Sequence, residues 1–138
     1  MAQQYRPKRQ GKLKVIILAR DLTLRTLQMV GNEKYFKKHR RWVMAQPIAE
    51  HMKMFCICTM DANNINAKTK QEAEERHKLQ TIAIAKLKTC SQLMDLAIDV
   101  EGLNEDKIAN WTALVNEELR LLSAWQKSDE KRNEKLGW

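Results

Sequence analysis

The sequence predicts an all-α protein that folds as an up-down-up-down four-helix bundle. Only four glycines and two prolines occur among its 138 residues, so turn-forming residues are scarce and the chain is divided into a few long elements. Apolar residues recur at steps of three and four along most of the chain, which is the period of a helix with one buried face. Long helices joined by short loops pack most simply as antiparallel neighbours.

A first helix is predicted over residues 12–30, ending at Gly31. Three successive β-branched residues, Val15, Ile16 and Ile17, would also suit a strand. No second strand-like run exists to pair with such a strand, so the helix is preferred. The apolar positions that define this helix are Val15, Leu18, Leu22 and Met29, with Leu13, Ile17, Leu24 and Leu27 widening the stripe.

A second helix is predicted from near Tyr35 to about Asn64, with a kink at Pro47. Proline lacks a backbone N–H and clashes with the carbonyl four residues earlier, so it either ends a short helix near Ala45 or bends a long one. The kinked long helix is preferred because only Gln46 separates its two apolar halves. The asparagine-rich residues 63–66 predict the turn that follows. The apolar members of this helix include Trp42, Ile48, Met52, Phe55, Cys56 and Met60.

A third helix is predicted between Thr69 and Gly102. Thr69 followed by Glu72 is a capping-box pattern, in which each side chain pairs with a free backbone N–H at the helix start. Gly102 is expected to end the helix after about 45 Å, at 1.5 Å per residue. The apolar positions of this helix are Leu79, Ala83, Leu87, Cys90, Met94 and Ala97, flanked by Ile82, Leu93 and Val100.

A fourth helix is predicted after a short loop at residues 103–105. Glu117, Glu118 and Arg120 are expected on its outer face, and the charged residues from Ser128 to Trp138 are expected to fray. The chain is thus divided into a basic N-terminal extension over residues 1–11, a bundle over 12–128 and a charged C-terminal tail over 129–138. The apolar positions of the fourth helix are Ile108, Trp111, Val115, Leu119, Leu122 and Trp125.

The net charge of +8 is concentrated in two segments. Residues 1–14 and 34–41 each carry five basic side chains and no acid, so the rest of the chain is slightly acidic. Dense Lys and Arg neutralise phosphates and release their counterions, which predicts a nucleic-acid partner; a basic tail and a solvated helix start are the alternative. The candidate nucleic-acid-binding residues are Arg6, Lys8, Arg9, Lys12, Lys14, Lys34, Lys37, Lys38, Arg40 and Arg41.

Several large apolar side chains exceed what a four-helix core needs. Trp111 and Trp125 lie on the apolar stripe of the fourth helix and are expected in the core or at a subunit contact. Trp42 lies beside two arginines and could stack on a base, although burial in the core is its default expectation. Ile57 and Ile84 lie off the main stripes, which predicts a further apolar surface and hence self-association.

No pattern in the sequence predicts catalysis, a metal or a cofactor. The three cysteines form no C-x-x-C pair and are expected to be free and buried, in a reducing, cytoplasmic setting. The three histidines lack metal-ligand spacing, and there is no glycine-rich phosphate loop. Glu72, Glu74 and Glu75 could begin a magnesium site, but favourable placement at a helix start is the preferred interpretation. No apolar stretch is long enough to span a membrane.

The order of these features resembles a known family. The sequence is similar, over about Lys12 to Ser128, to the accessory variability determinant (Avd) proteins of diversity-generating retroelements, which are related to the four-helix bundle proteins encoded in ribosomal RNA intervening sequences. The resemblance rests on patterns of apolar, small and basic residues and includes no catalytic motif. Its residues are the entry to helix two (Tyr35, Phe36, Lys37, Lys38 and Arg40), Ala62-Asn63-Asn64, "RHKLQTIAIAKLKTCSQLMDLAID" and "LLSAWQKS".

This resemblance implies a homopentameric ring of bundles that is not an enzyme. The ring would bind a reverse transcriptase and template-repeat RNA during mutagenic complementary-DNA synthesis. Two other classes remain open. A general nucleic-acid-binding bundle without a polymerase partner would need no large exposed apolar surface, and an all-helical nucleotide hydrolase would need Glu72, Glu75 and acids from another helix to converge.

Overall fold

The computed structural model describes the chain from Gln10 to Trp138, with side chains from Lys14 onward. Its described residues form four α-helices and no strand, which confirms the predicted fold class. Most of the N-terminal extension lies outside the described residues. None of the described helices has the length and apolar character needed to cross a bilayer. The helices are α1 (Gln10–Val30), α2 (Gln46–Asn64), α3 (Lys70–Glu101) and α4 (Glu105–Lys135).

The core of the bundle lies along a seam of regularly spaced positions. On α3 and α4 the buried residues follow one another at alternating steps of three and four, which is the heptad spacing of helices that pack side by side at a shallow angle. The buried residues of α3 are Ala73, Arg76, Gln80, Ala83, Leu87, Cys90, Met94 and Ala97. Those of α4 are Ile108, Trp111, Val115, Glu118, Leu122, Trp125 and Asp129.

Three polar contacts fix the antiparallel arrangement of neighbouring helices. Trp111 Nε1 on α4 donates to the hydroxyl of Thr26 near the end of α1 at 2.7 Å, and this hydroxyl in turn donates to the Leu22 carbonyl. The thiol of Cys90 on α3 donates to the Ile48 carbonyl near the start of α2 at 3.5 Å. A third contact, described below, joins the start of α3 to the end of α4. The up-down-up-down order therefore follows directly from the hydrogen bonds.

Both predicted ends of α3 are confirmed. The Thr69 hydroxyl accepts from the Glu72 N–H at 3.1 Å, and the Glu72 carboxylate accepts from the Thr69 N–H, which completes the capping box. Gly102 adopts a left-handed conformation with φ 66°, a region that only glycine enters without steric cost. Gly31 differs from this. It follows the last residue of α1, but it is not among the residues with positive φ, so α1 ends in an ordinary turn.

The start of the second helix differs from the prediction of one kinked helix from Tyr35 to Asn64. A 3-10 turn (Lys38–Arg40) and a π-helical turn (Arg41–Ala45) precede α2, which begins at Gln46. Pro47 therefore lies in the first turn of α2, where its missing N–H and fixed φ are tolerated. The irregularity that the sequence attributes to a kink is taken up by the π-helical turn.

The end of the fourth helix also differs from expectation. The residues after Ser128 do not fray, because α4 continues to Lys135 and the Asp129 side chain is buried. Asp129 accepts a bidentate pair of hydrogen bonds from Arg76 on α3, at 2.7 and 3.2 Å, and a third from Gln80 at 2.9 Å. The Arg76 guanidinium also lies 5.1 Å from the ring centroid of Trp125. This buried ion pair anchors the last turns of α4 to the start of α3.

Glu118 is the main correction to the predicted core. It was expected on the outer face of α4, but it is fully buried, and neither carboxyl oxygen has a hydrogen-bond partner among the described residues. Glu118 lies seven residues after Trp111 on α4, and Ala19 lies seven residues before Thr26 on the antiparallel α1, so Ala19 lies level with Glu118. Glu118 also lies eleven residues before Asp129, and Leu87 lies eleven residues after Arg76 on α3, so Leu87 lies level with it as well. Ala19 and Leu87 are apolar and fully buried, so neither offers the carboxyl a side-chain hydrogen bond.

This burial makes the stability of the bundle depend on pH. Desolvation, with a smaller contribution from Glu117, raises the pKa of Glu118 from 4.5 to about 9. The folded protein then keeps a proton that the unfolded chain releases, so the free energy of unfolding falls as pH rises from about 4.5 to about 9. We expect Glu118→Gln to remove this loss. The variant should gain stability over the native protein by up to about 1.4 kcal/mol per pH unit in that window, measured by urea denaturation.

Glu117→Gln is the matched control, because it makes the same carboxyl-to-amide change at an exposed position one residue earlier. Its stability should keep the pH dependence of the native protein, with a shift only at the alkaline end of the window, because Glu117 makes the smaller contribution to the raised pKa of Glu118. Parallel curves for Glu118→Gln would show that the buried carboxyl is ionised in the fold and would contradict the prediction.

Candidate nucleic-acid interface

The segment between α1 and α2 presents the second predicted group of basic side chains at one end of the bundle. We call residues 34–42 the basic turn. Asn32 starts the segment, because its side chain accepts from the Lys34 N–H and its carbonyl accepts from the Phe36 N–H, each at 3.0 Å. Phe36 is buried in the core, as are Met44 and Ala45 just after the turn. Buried residues thus hold the basic turn on both sides.

An ion pair fastens the basic turn to the end of α3. Arg40 Nη1 donates to Glu101 Oε1 at 2.8 Å and to the Val100 carbonyl at 3.1 Å, and the Lys37 N–H donates to the same Glu101 oxygen at 3.2 Å. The Glu101 side chain is completely buried, whereas the Arg40 side chain is 35% exposed. The charge of Arg40 is therefore neutralised, and its role in the described structure is to hold the turn in place.

The other basic side chains of this segment remain open to solvent. Lys34, Lys37, Lys38 and Arg41 are all exposed, and no acidic residue occurs between positions 34 and 49. The position of Trp42 differs from the prediction. Core burial was its default expectation, but the side chain is 77% exposed. The π-helical turn explains the difference, because it directs Met44 and Ala45 into the core and leaves Trp42 on the surface.

The first predicted basic group is not brought to this surface by the described residues. The side chains of Arg6, Lys8, Arg9 and Lys12 lie outside the described part of the chain. Lys14 is exposed near the start of α1, roughly 25 Å of helix away from the end of α1 that leads into the basic turn. Among the described residues, the candidate interface is therefore the basic turn alone.

A surface groove opens at the same end of the bundle as the basic turn. It lies between the end of α1 and the start of α4 and has a volume of about 310 Å³. Asn32 and Tyr35 line it together with Lys107, so it adjoins the segment that carries the basic turn. Its floor includes Trp111, which is buried and confirms the predicted core position, as does Trp125.

An exposed apolar face accompanies the basic turn. Val43 is 67% exposed, and Leu96 and Val100 on α3 are 57% and 43% exposed. Because Arg40 contacts Val100, these residues lie at the same end of the bundle. Ile57 is exposed farther along α2, in agreement with its position off the main stripe, whereas Ile84 packs against the core.

The described residues show no cluster suited to metal or nucleophilic chemistry. All three cysteines are free; Cys58 and Cys90 are buried and Cys56 is half-buried, and burial raises the pKa of the Cys90 thiol to about 12. No group of three or more potential metal-ligating side chains occurs in the part of the chain that the structure describes. Glu72 is used by the capping box at the start of α3.

Comparison of the chain with family models, curated proteins and solved structures finds no match in any of the three.

The contribution of the Arg40–Glu101 ion pair to stability can be tested by substitution. Arg40→Met should destabilise the fold by about 1–3 kcal/mol, because it leaves a buried carboxylate without its charged partner. The measurement is guanidinium denaturation followed by circular dichroism.

Arg41→Met removes the same charge from an exposed neighbour that forms no ion pair among the described residues, and it should change stability by less than about 0.5 kcal/mol. Equal effects of the two substitutions would show that the ion pair does not hold the turn.

Proposed function

We propose that this protein is a non-catalytic accessory protein of a diversity-generating retroelement, which binds template-repeat RNA and a reverse transcriptase and assembles as a homopentameric ring. One observation carries the RNA-binding part of this proposal. Four exposed cationic side chains and an exposed tryptophan share one turn that is held in place by buried contacts. The reverse transcriptase and the ring are supported by the resemblance to Avd proteins.

The electrostatics of the basic turn favour a polyanion. Lys34, Lys37, Lys38 and Arg41 have no acidic partner among the described residues, whereas Arg40 is paired with Glu101. Unpaired cations at this density attract phosphates, and each phosphate contact releases counterions into solution. The fixed backbone of the turn lowers the entropy that is lost when its side chains bind.

The exposed apolar face supports a protein partner in addition to RNA. Val43, Leu96 and Val100 are large apolar side chains in water at the same end of the bundle as the basic turn. Large apolar side chains that lie exposed at one end of a protein are typical of protein contacts. The alternative function, a general nucleic-acid-binding bundle, would need the basic turn but not this face. The face therefore favours the function in which the protein also binds copies of itself or a polymerase.

Removal of the exposed charges tests the RNA-binding part. We expect substitution of Lys34, Lys37, Lys38 and Arg41 by glutamine to flatten the slope of log affinity against log salt by up to about 3 units, at about 0.7 per phosphate contact with a single strand. The measurement is fluorescence anisotropy of a labelled hairpin RNA with a long single-stranded loop, titrated at several salt concentrations. Arg40 is left in place because it holds the turn.

The matched control replaces four exposed lysines near the opposite end of the bundle, Lys68, Lys70, Lys127 and Lys131, by glutamine. This control variant loses the same net charge. A salt slope that falls equally in both variants would show that RNA responds only to overall charge, and an unchanged slope in the basic-turn variant would place the RNA contacts elsewhere.

The apolar face is tested by the mass of the protein in solution. We expect the native protein to form an assembly larger than a dimer in light scattering at moderate salt. The double substitution Val43→Glu and Leu96→Glu should shift the mass toward the monomer, because it places charge on the exposed apolar face.

Ile17→Glu with Leu24→Glu is the control, since these side chains are 50% and 45% exposed on α1. The control variant should keep the assembly. A native protein that is monomeric at micromolar concentration would contradict the proposed ring.

A further inference from the structure

Trp42 is the most exposed large apolar side chain of the described structure. Its exposed fraction is 77%, above that of Val43 at 67% and Leu96 at 57%. The two tryptophans of α4, Trp111 and Trp125, are buried. An indole in water is unfavourable because its large apolar surface stays hydrated. Its placement on the surface leaves the ring open to a ligand that would cover it.

The position of Trp42 is fixed by the backbone on both sides. On one side, Arg40 is bound to Glu101 and to the Val100 carbonyl. On the other side, Met44 and Ala45 are buried, and the Gln46 N–H donates to the Arg41 carbonyl to close the π-helical turn. The indole therefore projects from a rigid base, so that little backbone entropy is lost when a ligand stacks on it.

The chemistry around Trp42 selects the ligand. The exposed cations nearest to it in sequence are Lys37, Lys38 and Arg41, and Glu101, the acid that contacts the basic turn, is already paired with Arg40. Aromatic rings among unpaired cations are the elements with which proteins bind single-stranded nucleic acid, because the ring stacks on a base while the cations contact flanking phosphates. A duplex keeps its base faces stacked inside the helix and offers only its phosphates to this surface.

We infer that the basic turn binds single-stranded RNA, with an unpaired base stacked on Trp42 and the adjacent phosphates on Lys37, Lys38 and Arg41. This inference rests on the proposed function and specifies the form of RNA that the site takes. The basic turn then distinguishes loops and single-stranded segments from paired regions without reading their sequence, since every base offers an aromatic face. Duplex RNA binds the same surface through phosphates alone, so Trp42 adds nothing to its affinity.

The test compares three probes with the native protein and Trp42→Leu. The probes are a labelled poly-U strand, an abasic strand of the same length and a blunt duplex. Trp42→Leu should weaken poly-U binding by about tenfold or more while binding to the abasic strand and the duplex is unchanged. Native protein should bind the abasic strand as weakly as the variant binds poly-U. Trp42→Phe should recover part of the lost affinity, because phenylalanine also stacks.

Each other outcome has a distinct meaning. If Trp42→Leu binds poly-U as tightly as native protein, stacking is excluded, although loss of binding in the basic-turn glutamine variant would still support RNA binding. If Trp42→Leu lowers the mass of the assembly and leaves poly-U binding intact, Trp42 is a protein contact and the inference is wrong. If native protein binds none of the probes, the proposed function itself fails. Circular dichroism should show an unchanged fold, since the replaced side chain is largely exposed.

Discussion

The alternating steps of three and four between buried positions on α3 and α4 are the constraint on which the rest of the structure depends. This spacing places one narrow seam of each helix against its neighbours, so long helices can pack side by side over their whole length. The side chain at every seam position faces the core, whether it is apolar or polar. Arg76, Gln80, Glu118 and Asp129 occupy seam positions and are buried for this reason.

The polar residues of the seam fall into two kinds. Asp129 accepts hydrogen bonds from Arg76 and from Gln80 Nε2, whereas Gln80 Oε1 has no partner among the described residues. This network fixes the register of α3 against α4 even if its net contribution to stability is small. Glu118 has no partner among the described residues and is kept neutral by its raised pKa, so it lowers stability at neutral and alkaline pH. The hydroxyl of Thr26 belongs to the first kind, because it bonds both to α4 and to its own helix.

The proposed function depends on the same architecture at the end of the bundle. Pro47 lies in the first turn of α2, and the irregular turns before it carry Phe36, Met44 and Ala45 into the core. The Arg40–Glu101 pair then joins these turns to α3. Cations and an indole that would otherwise lie on a mobile loop are held in place by buried contacts, and this geometry supports the proposal that the basic turn binds a ligand.

The sequence by itself determined the all-helical class, the capping box at Thr69, the left-handed end at Gly102 and the presence of basic residues at positions 34–41, because these depend on local spacing and local charge. Only the tertiary structure decided which side chains are buried. Glu118 is polar but buried, because the register of the neighbouring helices places it in the core. Trp42 is apolar but exposed, because of a π-helical turn that periodicity does not reveal. Likewise, only the tertiary structure shows that Arg40 is paired and not free to bind a phosphate, because its partner Glu101 lies sixty-one residues away in the chain.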